Sequence, residues 1–245
     1  MARRWPNLPG ASGASVRGLA EMGTDQGGRW RDLGVRVASA AVLIPVFLAC
    51  LWWGGLVWTF VSVLAGLLMA REWARMARSW TFVAVLVGGA VGLVPAVAAL
   101  IWLRERAPYG MMSVMFVFGV VWASDIGAYM VGRLVGGAKL APSISPGKTR
   151  SGAVGGLVSV VVVGLGAAWA GGGPWATTAL IAAALGVAAQ AGDLLESVVK
   201  RHFAVKDSGD LIPGHGGLLD RLDAVLLAAP VAAVLVAWRG VELWR

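Results

Sequence analysis

Charge is scarce in this 245-residue sequence: 14% of residues are Asp, Glu, Lys or Arg, whereas 58% are hydrophobic. An ordinary soluble domain is about a quarter charged, so the chain falls outside that class. No polar stretch is long enough to build a separate soluble domain. Cysteine is reduced to Cys50, which lies in an apolar run, so intramolecular disulfides and CxxC-type sites are excluded. Histidine occurs twice, at His202 and His215, in no HExxH spacing, and no GxSxG elbow occurs. Nucleophile-and-base chemistry of the familiar kinds therefore has no carrier. Acids are also few, 13 against 21 Lys and Arg, for a net charge of +8. The bases gather near the ends of apolar segments, a pattern of membrane topology rather than of nucleic-acid binding, so no nucleic-acid partner is expected.

What the sequence has instead is long apolar runs. About 20 apolar residues suffice to cross a bilayer as a helix, and seven segments qualify, near 36–53, 56–74, 81–103, 111–134, 152–170, 175–199 and 218–238. The expected fold class is all-α, a polytopic integral membrane bundle of about seven transmembrane helices. Residues 1–34, with Pro6, Pro9 and no sustained period, are expected to be a flexible basic cytoplasmic leader. No apolar core follows the first arginines closely, as a signal peptide requires. Residues 35–110 would form the amino-terminal transmembrane helices, and 111–245 the region carrying the chemistry with its cytoplasmic loops. Gly88, Gly89, Gly92 and Pro95 could kink the third segment or divide it.

Loop charge argues for an undivided third segment. Loops rich in Lys and Arg stay on the cytoplasmic side. Arg29, Arg31 and Arg36, then Arg71, Arg75 and Arg78, then Arg133, Lys139, Lys148 and Arg150, then Lys200, Arg201 and Lys206 all fall on one side only if seven spans follow a cytoplasmic amino terminus. The polar loops 135–150 and 200–217 then face the compartment that holds nucleotides.

Those loops adjoin the residues that could carry chemistry. The stretch from Gln190 to Asp223 holds six of the 13 acids and both histidines. On a helix, Asp193, Glu196, Ser197 and Lys200 share one face, and a hard cation such as Mg²⁺ prefers one or two such carboxylates together with substrate phosphate and water. Asp220 and Asp223 are neighbours on the next helix, and His215 precedes them in a Gly-rich turn suited to contacting an anion. The run from Lys139 to Arg150 sets Lys148, Arg150, Ser143 and Ser145 among Pro142, Pro146 and Gly147, a composition suited to phosphate, though its spacing is not that of a Walker A motif. Asp125, placed deep in an apolar helix with Tyr129 one turn on, is either functional or a hydrogen-bonded anchor of the bundle. Such a set favours phosphoryl or nucleotidyl transfer, in which positioning and charge neutralisation do most of the work.

The run from Ser197 to Asp223, SVVKRHFAVKDSGDLIPGHGGLLDRLD, resembles the signature of phosphatidate cytidylyltransferases, also called CDP-diacylglycerol synthases. The segments WASDIGAY, from Trp122, and KLAPSISPGKT, from Lys139, extend the likeness across about residues 120–225. The resemblance implies CMP transfer from CTP to phosphatidate, giving CDP-diacylglycerol and pyrophosphate, in a bacterial inner-membrane homodimer with its site facing the cytoplasm. It implies Mg²⁺, and beside it a monovalent cation such as K⁺. Asp193 and Asp220 would be the principal metal ligands, with Ser197 and Asp223 in the same site. Lys200, Arg201, Lys206, Lys148 and Arg221 would handle phosphates, and His215 would orient one rather than act as an obligatory base. The lipid head group would enter a polar cavity between segments four, six and seven, where Asp125 would help to complete the site. Two other readings use similar residues: a CTP-dependent lipid-alcohol kinase, and an ion-coupled transporter built on Asp125 and Asp193.

Overall fold

The structure, a computed structural model, describes residues 17–240 and 242–244. Seven helices follow in order: α1 (Arg17–Trp53), α2 (Gly55–Met76), α3 (Phe82–Glu105), α4 (Gly110–Leu134), α5 (Arg150–Gly171), α6 (Trp175–His202) and α7 (Leu219–Arg239). Helices α2 to α7 are each long and apolar enough to cross a membrane. The apolar part of α1, Val37–Trp53, is shorter. Its 17 residues rise only about 26 Å at 1.5 Å each, against roughly 30 Å of hydrocarbon. Among the described residues six helices are thus full-length candidate spans and α1 is a shorter seventh, which fits the expected all-α bundle of about seven helices. Helix α1 also begins at Arg17, inside the segment expected to be a flexible leader; the prolines that would break it, Pro6 and Pro9, precede that point. Residues 1–16 lie outside the described residues.

Helix α3 is continuous through Gly88, Gly89, Gly92 and Pro95. Elsewhere the ends have identifiable causes. The Thr149 hydroxyl accepts the Gly152 N–H at 3.0 Å and so caps α5. Gly172, in the left-handed conformation, closes α5.

Helix α4 lies at the centre. Its Val114, Val117, Val120 and Val121 are buried against Leu103 of α3, Ile181 and Leu185 of α6, and Ala228, Ala229 and Ala232 of α7. Between α4 and α5 small residues allow the backbones to come close. A Cβ on Gly127 would lie 2.1 Å from Ser159 Oγ, and one on Gly155 2.4 Å from Val131 Cβ. In lipid, where burial of apolar surface drives little, this kind of packing holds helices together.

The segment between α4 and α5, expected as an irregular loop, forms a small antiparallel hairpin of β1 (Lys139–Ala141) and β2 (Ser145–Thr149), the only sheet among the described residues. An isolated hairpin is marginal in stability. This one is fastened by the Arg201 Nε–H, which donates to the Ile144 carbonyl at 3.1 Å, and by the Arg150 N–H, which donates to that of Ala138 at 2.9 Å. One end of the bundle thus gathers the carboxyl ends of α2, α4 and α6, the starts of α5 and α7, and the hairpin. The opposite end is tied by Arg104 Nε–H to the Leu51 carbonyl at 2.7 Å and by Ser113 Oγ–H to Glu242 at 2.8 Å.

Candidate active site

A cavity of about 530 Å³ opens at the hairpin end, lined by Asp125 and Ser124 of α4, Lys148 of β2, Gly152 and Ala153 of α5, and Gln190 and Asp193 of α6. Its walls are thus α4, α5, α6 and the hairpin. Of the segments four, six and seven expected to enclose the head group, α4 and α6 line this cavity and α7 does not. The hairpin explains this, because it folds over the start of α5 and brings Lys148 to α6.

Lys148 forms an ion pair with Asp193, and both are about 29% exposed, open enough to meet a ligand. Asp125 lies within electrostatic range of both groups, and Asp223 within range of Asp193 and Asp125. Lys148 acts on Asp125 and Asp193, and Lys200, already paired with Glu196 and Asp220, acts on Asp223, so five carboxylates stand around two lysines, an imbalance that favours a cation. Gln190, given no role in the sequence reading, donates from Nε2 to the Ala153 carbonyl at 3.0 Å and ties α6 to α5 at the cavity wall. Tyr129 receives a 2.6 Å hydrogen bond from Arg133, so it lines the cavity as a partner of that arginine rather than of Asp125.

Asp220 is placed differently. One oxygen accepts from Lys200 Nζ at 2.8 Å, both lie 3.0 to 3.1 Å from the Ser208 N–H, and the second also accepts the Gly217 N–H at 3.0 Å. A carboxylate in the first turn that reaches back to a preceding N–H resembles half of a capping box. Lys200 also pairs with Glu196 at 2.5 Å, so one ammonium bridges two buried carboxylates. The expected metal ligands Asp193 and Asp220 are thereby each paired with a lysine. Asp223 has none; its Oδ1 accepts the Ala224 N–H at 2.7 Å. Ser197 is half-buried on the same helix as Asp193.

The remaining expected residues lie around this centre. His215 Nδ1 is 3.0 Å from Ser39 Oγ of α1, and Arg221 Nε–H donates to the His215 carbonyl at 2.8 Å. Arg201 is occupied with the hairpin and the Val205 carbonyl. Ser145 is half-buried at the start of β2, and Lys206 is exposed in the α6–α7 loop. Arg150 is exposed beside a separate shallow groove on the α4–α5 face and does not line the cavity.

Sequence reasoning missed Glu72 of α2, which is 3% exposed and accepts hydrogen bonds from Leu218 N–H, Leu219 N–H and Ser208 Oγ–H at 3.0, 2.8 and 3.2 Å. The available signal was an acid standing among Arg71, Arg75 and Arg78 near a helix carboxyl end, where the helix dipole disfavours negative charge.

Fold and site together define a multi-pass helical membrane protein whose lysines and carboxylates are gathered in and around a cavity at one end of the bundle. Comparison with known proteins carries this further. A match to the cytidylyltransferase family covers residues 79–238. A Brucella suis protein named phosphatidate cytidylyltransferase is 37% identical over 246 residues, spanning 81% of this chain and 91% of its own length. One of the same name from Rickettsia bellii is 35% identical, spanning 82% and 89%, and one from Bacillus subtilis is 42% identical over 139 residues, about half of each chain. The chain belongs to the cytidylyltransferase family, among the phosphatidate cytidylyltransferases.

Proposed function

We propose that this protein transfers CMP from CTP to phosphatidate, forming CDP-diacylglycerol and releasing pyrophosphate. The observation that carries the reading is the cavity itself: Lys148, Asp193 and Asp125 face one space enclosed by membrane helices, at the end where the polar loops gather. In the reaction a phosphate oxygen of phosphatidate attacks the α-phosphorus of CTP. A new P–O bond forms as the bond to the bridging oxygen of pyrophosphate breaks. The nucleophile is already anionic near neutral pH, so the chief barrier is repulsion between two polyanions rather than want of a base, and preorganised positive charge answers it. Lys148 is placed to meet a phosphate in the cavity once it leaves Asp193. Lys200 and Arg221 stand behind it, holding Asp220 and the His215 turn in place.

The donor set suits Mg²⁺. That ion is usually bound by one or two carboxylates plus water and substrate phosphate; among the described residues no three His, Cys, Asp or Glu side chains group as a metal site. Asp193 and Asp220 would be its principal ligands, with Asp223 and Ser197 in the same site. When bound it supplies charge neutralisation at the transferring phosphate. The surplus of carboxylates gives grounds for a second, monovalent cation such as K⁺. Arginine-rich ends on the site's side of the bundle support a cytoplasmic orientation in a bacterial inner membrane. Assembly as a homodimer belongs to the same reading and is measured by the mass of the purified protein in detergent.

Purified protein supplied with CTP and either phosphatidate or a lipid alcohol tests the proposal. Pyrophosphate should appear with phosphatidate alone. Release of CDP with the alcohol would establish the kinase instead, and ion flux without nucleotide turnover the transporter.

A further inference from the structure

We propose that Glu72 is a positioning residue for this reaction: it fixes the α6–α7 loop and the start of α7, and so sets where Asp220 and Asp223 stand. The inference rests on the transferase reading, and Glu72 lies ahead of the segment that matches the family, 79–238. Its carboxylate is buried, and among the described residues it enters no ion pair. Its partners are two backbone amides and one hydroxyl. Oε1 accepts the Leu218 N–H, and Oε2 accepts the Leu219 N–H and the Ser208 hydroxyl. Those amides open α7, where a helix dipole favours negative charge.

The same loop is held from its other side by Asp220, which takes the N–H groups of Ser208 and Gly217. Ser208 is thus shared, its amide bonded to Asp220 and its hydroxyl to Glu72. Two carboxylates from distant parts of the chain clamp one short segment between them. The backbone is fitted closely to this clamp. A Cβ on Gly217 would lie 2.1 Å from Ser208 Oγ and 2.8 Å from Glu72 Oε2, and one on Gly209 2.8 Å from Glu72 Oε1. Around it Met69, Met76, Leu93 and Leu219 form a buried apolar cluster with Trp73, Phe203 and Leu222 packed against it, which keeps water from replacing the carboxylate. Without Glu72 the orphaned amides would have to seek other partners, and the turn carrying Asp220 and Asp223 would move with them.

Glu72→Gln tests this with little change of shape. Glutamine offers one acceptor oxygen in place of two and turns an amide donor toward groups that are themselves donors. Displacing a site by about 1 Å from outside it can cost about a hundredfold in rate. The expected result for Glu72→Gln is therefore a kcat lower by between about ten- and a hundredfold, with KM for CTP within about twofold of the parent. Glu72→Asp, which keeps two acceptors on a shorter arm, should recover part of the loss. Trypsin should also cut after the exposed Lys206 faster in Glu72→Gln than in the parent. Glu242→Gln, which alters a buried carboxylate at the opposite end of the bundle, is the control; it should lower thermal stability while leaving kcat within about twofold. A Glu72→Gln protein with parental kcat, or kcat that falls in step with melting temperature in both variants, overturns the proposal. Should Glu72→Gln fail to fold, Ser208→Ala removes only the hydroxyl contact; parental turnover together with parental cleavage in that variant also overturns it. Absence of turnover in the parent refutes the transferase reading instead, and the cleavage rates then decide whether Glu72 holds the loop.

Discussion

Replacing Lys200 by methionine removes the one ammonium that bridges Glu196 and Asp220. All three side chains are largely buried, at 13%, 6% and 7% exposure, with contacts of 2.5 and 2.8 Å. At an effective dielectric constant of about 20 each contact is worth about 6 kcal/mol in Coulomb energy. Most of that is offset by the cost of taking the charges out of water, and breaking such a buried pair typically costs about 3–5 kcal/mol. Here the loss should fall at the upper end, because two carboxylates are left near each other without their common cation. Lys200→Met should therefore melt well below the parent in detergent, followed by tryptophan fluorescence, and should lose turnover. Adding Glu196→Gln removes one of the two stranded charges and should restore about half of the lost stability but not the turnover. A Lys200→Met protein that melts with the parent would refute the reasoning, as would a double variant no more stable than the single one.

Three further outcomes follow from the same geometry. Asp193→Asn and Asp220→Asn should each abolish turnover while the protein remains folded; near-parental activity in either, measured at saturating Mg²⁺, would remove that residue from the reacting centre. Lys148→Ala should raise KM for CTP by about tenfold, the worth of one charge-assisted contact; an unchanged KM would assign the hairpin to lipid or to structure. Asp125→Asn keeps the shape of a cavity-lining side chain while removing its charge, and should lower kcat/KM for phosphatidate turnover without lowering the melting temperature, whereas a drop in melting temperature alone would make Asp125 an anchor of the bundle.

The helices were legible because lipid demands long apolar segments, and the side on which each loop falls because arginine and lysine accumulate at one face. Continuity of α3 through Pro95 followed from that charge pattern rather than from the residues of the helix. The apolar part of α1, Val37–Trp53, matches the segment expected near 36–53, but the helix runs back to Arg17 through a stretch without a sustained apolar period. The hairpin was hidden by its own composition: Pro142, Pro146 and Gly147 read as breakers, and strand pairing of Lys139 with Thr149 depends on fastening by Arg201, more than 50 residues away. The charged residues of the site could be named from sequence, but not their partners. Asp220 is bonded largely to backbone amides, which carry no sequence signature, and Lys148 meets Asp193 across 45 residues. Glu72 escaped for the same reason, since two of its three partners are main-chain N–H groups.

The destination of the α-phosphate tests the central claim most directly. CTP labelled with radioactive phosphorus at the α position, incubated with the purified protein and phosphatidate, should place its label in the lipid fraction, while CTP labelled at the γ position should yield labelled pyrophosphate and unlabelled lipid. Label from the γ position in the lipid, or no label in lipid from either, would contradict the account.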